Sequence, residues 1–202
     1  MIVVGVTGSI AMGKSTVSGI FAALGVPAFD ADAAVSDFYS GEGAHTIGTA
    51  FPEAFVDGRI DRERLAKRVL TDSSALSSLE SLVHPAVADA RDRFLRSAAE
   101  RGGRFAIVDV PLLFETGGES SVDVVLVASA PEALQRARAL ARKGMSEANL
   151  AAILSRQTPD AEKRRRAHFV IDTRGALENT RAQAQQFLRA AAGIEGRRGH
   201  HA

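Results

Sequence analysis

The alternation of apolar and polar positions divides the chain into short β-branched runs separated by stretches of helical period. Ile2-Val3-Val4-Gly5-Val6 predicts a buried strand. Behind Ser15-Thr16, the residues Val17, Ile20, Phe21 and Leu24 recur on one helical face, and Gly25 supplies a stop. Val26-Pro27-Ala28-Phe29 reads as a second strand that ends in Asp30-Ala31-Asp32. From Ala33 to Arg101 the period is helical, with turns at Gly41-Glu42-Gly43 and Val56-Asp57-Gly58-Arg59. One helix opens at Ile60 with Asp61 as its cap, and a second is marked by Leu76, Leu79, Leu82 and Val83. A third is predicted to begin after His84-Pro85, since proline is favourable at a first helical position, and to carry Val87, Ala90, Phe94 and Leu95. Phe105 to Val108, ending in Asp109, Val122 to Val127, and His168 to Ile171 complete the strands. A very basic helical region lies between 131 and 165, and a last helix runs from Leu177 to Ala192. The Gly/Arg/His-rich tail, 193–202, is expected to be disordered.

Strands that alternate with helices predict a parallel sheet covered on both faces and joined by right-handed crossovers. The segment 33–101 is far longer than a crossover needs, so it is read as an inserted helical subdomain. Residues 1–32 and 102–192 then form the core, with a lid at about 131–165. The 202 residues suffice for one α/β domain with insertions, and 46% hydrophobic with 24% charged residues is ordinary for a globular protein. A net charge of +1 and the lack of an aromatic platform argue against a nucleic-acid role. The first apolar run is broken by Gly5 and Gly8 and lacks a basic flank, so neither a signal peptide nor a membrane span is expected. The absence of cysteine excludes disulfides and thiolate chemistry and suits a cytoplasmic location.

The chemistry begins directly after the first strand. Gly8-Ser9-Ile10-Ala11-Met12-Gly13-Lys14-Ser15 fits G-x-x-x-x-G-K-[ST] between a strand and a helix, the context that gives this phosphate-binding pattern its meaning. Backbone N–H groups of the loop and the helix N-terminus attract phosphate oxygens. Lys14 adds a point charge toward the β/γ-phosphates, and the Ser15 hydroxyl can ligate Mg²⁺. Acids at the carboxyl end of strand two lie where open parallel sheets bind ligands. Asp30 is read more readily as a helix cap, and Asp32 as the group that orients or deprotonates an attacking hydroxyl. Asp109, an acid at the end of a buried strand, has the layout of a metal-holding Walker B residue. Glu115 either faces substrate or caps a loop. Arg138 and Arg142, four apart, share a helix face from which a lid could neutralise a transferred phosphoryl group. A small-molecule kinase therefore leads. Other P-loop nucleoside or nucleotide kinases remain open, and a GTPase-type switch is weaker because no Asn-Lys-x-Asp segment occurs.

As a set these residues resemble the bacterial dephospho-coenzyme A kinase family, over Val4 to about Leu188. Its carriers are Thr7 to Thr16, Asp30-Ala31-Asp32, His84-Pro85, Asp109-Val110-Pro111-Leu112-Leu113-Phe114-Glu115, Arg138-x-x-x-Arg142, Gln157 and Val170-Ile171-Asp172. The resemblance implies a P-loop NTPase-type α/β fold, a five-stranded parallel sheet flanked by helices with a helical acceptor insert and lid. It also implies transfer of the ATP γ-phosphoryl group to the ribose 3′-hydroxyl of dephospho-CoA, with Mg²⁺. By position, Asp32 matches the proposed base. Gly8, Ser9, Ile10, Ala11, Met12, Gly13, Lys14, Ser15 and Thr16 match the ATP loop, and Ser15 with Asp109 the metal contacts. Arg138 and Arg142 match the lid arginines, and His84, Pro85, Leu112, Leu113 and Glu115 the acceptor side, although His84 alone could equally shape a helix start. A monomer or weak homo-oligomer is expected. Ser9 and Ala11 stand where the family has glycines, Met12 where it has serine, and Thr173 where it often has Asn. Since a residue with a Cβ fits readily only where φ is negative, a stiffer or shifted loop is predicted there.

Overall fold

The structure is a computed structural model and describes residues 1–193; the predicted tail lies outside the described residues except for Gly193. The chain forms two compact units, one made of Met1–Phe29 and the chain from Ser97 on, the other of Asp30–Arg96.

The larger unit is built on a sheet of β1 (Ile2–Thr7), β2 (Ala28–Asp30), β5 (Phe105–Asp109), β6 (Val124–Ser129) and β7 (Phe169–Asp172). Their spatial order is β2-β5-β1-β6-β7, and β1 pairs in parallel with both β5 and β6. The three central strands are buried at every position, which explains their mainly apolar, β-branched-rich sequences. The first strand pairs Val6 with Asp109 and Thr7 with Val127, so the residues that follow β1 leave the middle of the sheet at its carboxyl edge. On one face, α1 (Lys14–Ala23) and α9 (Leu177–Ala191) cover the sheet. Phe187 meets Phe21 edge-on at 5.8 Å and Phe169 at 5.2 Å, among Val4, Val6, Val17, Leu126 and Ile171. The basic region forms three helices, α6 (Glu132–Leu140), α7 (Glu147–Leu154) and α8 (Asp160–Arg166).

The smaller unit holds α2 (Ala31–Ser40), α3 (Gly43–Ala50), the hairpin β3 (Phe55–Val56) and β4 (Arg59–Ile60), α4 (Arg62–Thr71), and most of α5 (Ser73–Glu100). Ile47, Phe51, Leu65, Leu79 and Val83 form its core. Two expectations are corrected. The turn at Asp57-Gly58 closes a β-hairpin, because both residues take positive φ (50° and 78°) as an Asp-Gly hairpin turn requires. Ile60 therefore ends a strand, and Asp61 caps α4 by accepting from the Glu63 and Arg64 N–H groups. Second, no helix starts at Pro85: α5 runs through it. Ala75, Leu79, Val83 and Val87 line one continuous face across the proline. Burying Leu79 and Val83 contributes about 1.5–3 kcal/mol each, enough to offset the roughly 3 kcal/mol an interior proline costs. Asp72 caps this helix through the Ser74 and Ala75 N–H groups, and with Arg68 bonded to it as well its carboxyl sits well below the usual carboxylate range. Among the described residues, no helix is long and apolar enough to cross a membrane.

Candidate active site

The loop after β1 is shaped by close packing at its two glycines. A Cβ on Gly8 would come within 2.7 Å of the Ala128 carbonyl oxygen, and one on Gly13 within 3.0 Å of Thr173 Oγ1. Gly13 has φ +88° and is the N-cap of α1, but it has no side chain with which to cap. α2, α4 and α7 receive side-chain caps from Asp30, Asp61 and Ser146. In α1 the N–H groups of the first turn have no such acceptor, and no acid lies in that turn. An uncapped helix N-terminus facing a concave loop attracts phosphate.

The expectation of a shifted loop is corrected at Ala11. Its φ is +61°, so the left-handed backbone is kept despite the Cβ. The strain of an alanine there is of order 1–2 kcal/mol. Burial offsets it, because Ala11 is 7% exposed and packs with Ala139 and Leu150 of the basic region, alongside Ile10, Met145 and Leu154. Ser9 has no positive φ and is buried. Met12 turns inward, where its Sδ accepts the Ala130 N–H at 3.1 Å and its carbonyl accepts from Thr173 Oγ1 at 2.8 Å.

Lys14 is the first residue of α1, and its ammonium is paired with Asp109 Oδ1. Ser18, one turn further along the same face, donates to Asp109 Oδ2 at 2.7 Å. Asp109 is 4% exposed. The charge at the end of β5 is thus held by partners that sit directly under the phosphate loop. Ser15 and Thr16 are exposed at the helix start. Among the described residues, no group of three or more acidic or imidazole side chains forms a ready-made metal cage. Mg²⁺ bound together with substrate phosphates needs only one or two protein oxygens, and the donor set of Ser15 and Asp109 fits that demand.

Arg138, on α6, is held by Thr173. Its guanidinium donates to the Thr173 carbonyl at 2.7 Å and to Thr173 Oγ1 at 3.2 Å. Arg142 lies beyond the end of α6, in a bend, and is exposed, so the expectation that it shares a helix face with Arg138 is corrected. Thr173 therefore ties the end of β7, α6 and the loop together, a role its sequence position did not reveal. Gln135 and Gln157 also reach the loop: Gln135 Nε2 donates to the Ile10 carbonyl at 2.9 Å, and Gln157 Oε1 accepts the Ile10 N–H at 3.0 Å. A cleft of about 130 Å³ has Ser129, Pro131, Arg164, Asp172 and Arg174 in its wall.

Of the residues expected on the acceptor side, Leu112 is exposed (43%), whereas Leu113 is a core residue (1%) with no face left for a ligand. Glu115 Oε1 accepts the Thr158 N–H at 2.7 Å and pairs with Lys163 at 2.9 Å. Burial pushes the Glu115 carboxyl up, but these partners outweigh it and hold it below the usual carboxylate range. In the smaller unit Asp30 accepts the Ala33 N–H at 3.0 Å and caps α2. Asp32 sits exposed in the first turn of that helix, and His84 and Pro85 are exposed in the middle of α5.

Similarity to known proteins points the same way. The family model described as Dephospho-CoA kinase (CoaE) matches residues 2–179. A dephospho-CoA kinase of Rhodopseudomonas palustris is 50% identical over 198 residues, covering 98% of this chain and all of the relative. The crystal structure of TT1252 from Thermus thermophilus superposes with a TM-score of 0.83 at 34% identity, covering 96% of this chain and 98% of the other. The dephospho-CoA kinase from Campylobacter jejuni does so at 0.64 and 25% identity, over 93% and 96% of the two chains. On this family match and these relatives, the chain belongs to the dephospho-CoA kinase family.

Proposed function

We propose that this chain transfers the γ-phosphoryl group of ATP to the ribose 3′-hydroxyl of dephospho-CoA, the final step of coenzyme A synthesis. Family membership supplies the reaction class. The single observation that carries the assignment of the site is the uncapped start of α1, with Lys14 over the buried Asp109.

In this reading the loop from Gly8 to Thr16 seats the triphosphate, and Lys14 exchanges its partner Asp109 for the β/γ-phosphates. Ser15 and Asp109 would hold Mg²⁺, which when bound neutralises charge on the β- and γ-phosphates. Asp32 orients the 3′-hydroxyl in line and accepts its proton. Its exposed place at the start of α2, beside a neighbour already committed to capping, supports that division of labour. Arg138 and Arg142 neutralise the phosphoryl group as it moves, and closure of 131–165 excludes the water that could otherwise replace the alcohol. Residues 33–101, with His84, Pro85 and Leu112, take the acceptor.

Asp32→Asn is the direct test. It should lower kcat by about 10²-fold or more, the range for loss of a positioned base, and leave ATP affinity by calorimetry nearly unchanged. A variant with near-normal kcat removes Asp32 from the mechanism.

A further inference from the structure

Ile10 is held through both of its flanking peptide units by side-chain amides. Gln157 Oε1 takes its N–H at 3.0 Å, and Gln135 Nε2 donates to its carbonyl at 2.9 Å. These two glutamines stand at the two ends of the α6–α7 hairpin, so the segment read as a lid is fastened to the phosphate loop at both of its roots. Gln135 is 5% exposed, and the apolar contacts of Ala11 with Ala139 and Leu150 lie between the two attachments.

Beneath Gln157 is a second layer. The next residue, Thr158, gives its N–H to Glu115 Oε1, and the fully buried Lys163 pairs with the same oxygen. Asp160, between them, accepts from Ser129 Oγ at 2.8 Å at the end of β6. Residues 157–163 are therefore pinned to the exits of both β5 and β6. A buried ion pair is a poor source of stability, since desolvation costs several kcal/mol per ion and well-packed apolar residues often serve as well. What such a pair supplies is a defined position, because both charges lose their compensation if the segment shifts.

We propose that Gln135 and Gln157 are positioning residues for the phosphate loop, and that the Glu115–Lys163 pair sets the place of Gln157. With one polar group of each flanking peptide taken, neither the Ser9–Ile10 nor the Ile10–Ala11 peptide flips without losing a hydrogen bond, and the remaining loop amides keep a fixed orientation toward the triphosphate. Glu115 then acts on ATP through the loop and not on the acceptor. The proposal rests on the reading of Gly8 to Thr16 as the triphosphate site.

Steady-state kinetics and thermal melts of three variants test it. Gln157→Leu should raise the KM for ATP about five- to tenfold, the effect of one neutral hydrogen bond, with the KM for dephospho-CoA within about twofold. Its melting temperature should fall by only a few degrees. The charge-neutral double variant Glu115→Gln/Lys163→Met should show a similar rise, and adding Gln157→Leu to it should cost less than the product of the separate effects, because both act through one contact. An unchanged ATP KM in Gln157→Leu overturns the proposal, as do fully multiplicative effects; if the double variant does not fold, Gln157→Leu alone decides. Lys14→Ala, read by calorimetric ATP binding, separates the two levels. Loss of binding there with a normal Gln157→Leu sinks only the positioning role, whereas full binding by Lys14→Ala sinks the loop assignment itself.

Discussion

Ala11 shows how far a single residue can depart from a motif without changing the loop it belongs to. Its backbone is left-handed, a conformation in which glycine is free and alanine strained, yet its methyl group is buried against Ala139 and Leu150. Losing that methyl removes about 0.8 kcal/mol of burial, and glycine also widens the unfolded ensemble, so relief of strain and these losses nearly cancel. Ala11→Gly should therefore change stability by no more than about 1 kcal/mol. Ala11→Val should cost about 2 kcal/mol or more, because a β-branched residue at positive φ is a true outlier, and ATP affinity should fall with it. Thermal melts and ATP titrations of the pair check this; a valine variant as stable as the alanine protein contradicts it. At this scale the place of Asp109 at the end of a buried strand and the capping role of Asp30 were legible in the sequence, because each follows from position relative to a strand end. Thr173 and Gln135 were not. Their partners are Met12 and Ile10, far away in the chain, and nothing in local spacing encodes a hydrogen bond that the fold alone creates. Lys163 was lost for another reason, since it lies in a run of cations whose other members are exposed.

Among the elements, the strands were the most readable, because full burial writes itself as continuous apolar runs. Helix ends with acidic caps were readable too. α5 was not, since its proline invites a start signal and only the tertiary face of Leu79, Val83 and Val87 shows that the helix continues. The hairpin at Asp57-Gly58 was hidden because two-residue strands carry no period. Pro85 gives a prediction at this scale. Pro85→Ala restores a helical N–H for the Ser81 carbonyl and removes the ring clash, so stability should rise by about 1–3 kcal/mol. That is several degrees in melting temperature for a chain of this size. If His84-Pro85 shapes the acceptor surface, the KM for dephospho-CoA should rise in the same variant. A lower melting temperature would show that the proline is not the strained point it is taken to be.

For the molecule as a whole, the sheet order places the phosphate loop at the centre of the carboxyl edge, with strand neighbours on both sides that end in Asp109 and in the Ser129-Ala130 lead into α6. The smaller unit carries its own apolar core and has Asp32 in the first turn of α2. That the chain carries a second compact unit was visible in the long helical stretch between the second and third sheet strands. Which alcohol is bound was visible only through family resemblance, because exposed residues such as His84 or Leu112 specify no ligand by themselves. The acceptor is therefore the point on which the account depends most. Release of ADP by the purified protein with ATP and Mg²⁺ should be measured against dephospho-CoA, adenosine, pantothenate and nucleoside monophosphates, with phosphorus NMR locating the new phosphate. The account predicts rapid turnover with dephospho-CoA alone, and a product phosphorylated on the ribose 3′-oxygen. Preferential turnover of a monophosphate, or ADP release that no acceptor accelerates, would contradict it.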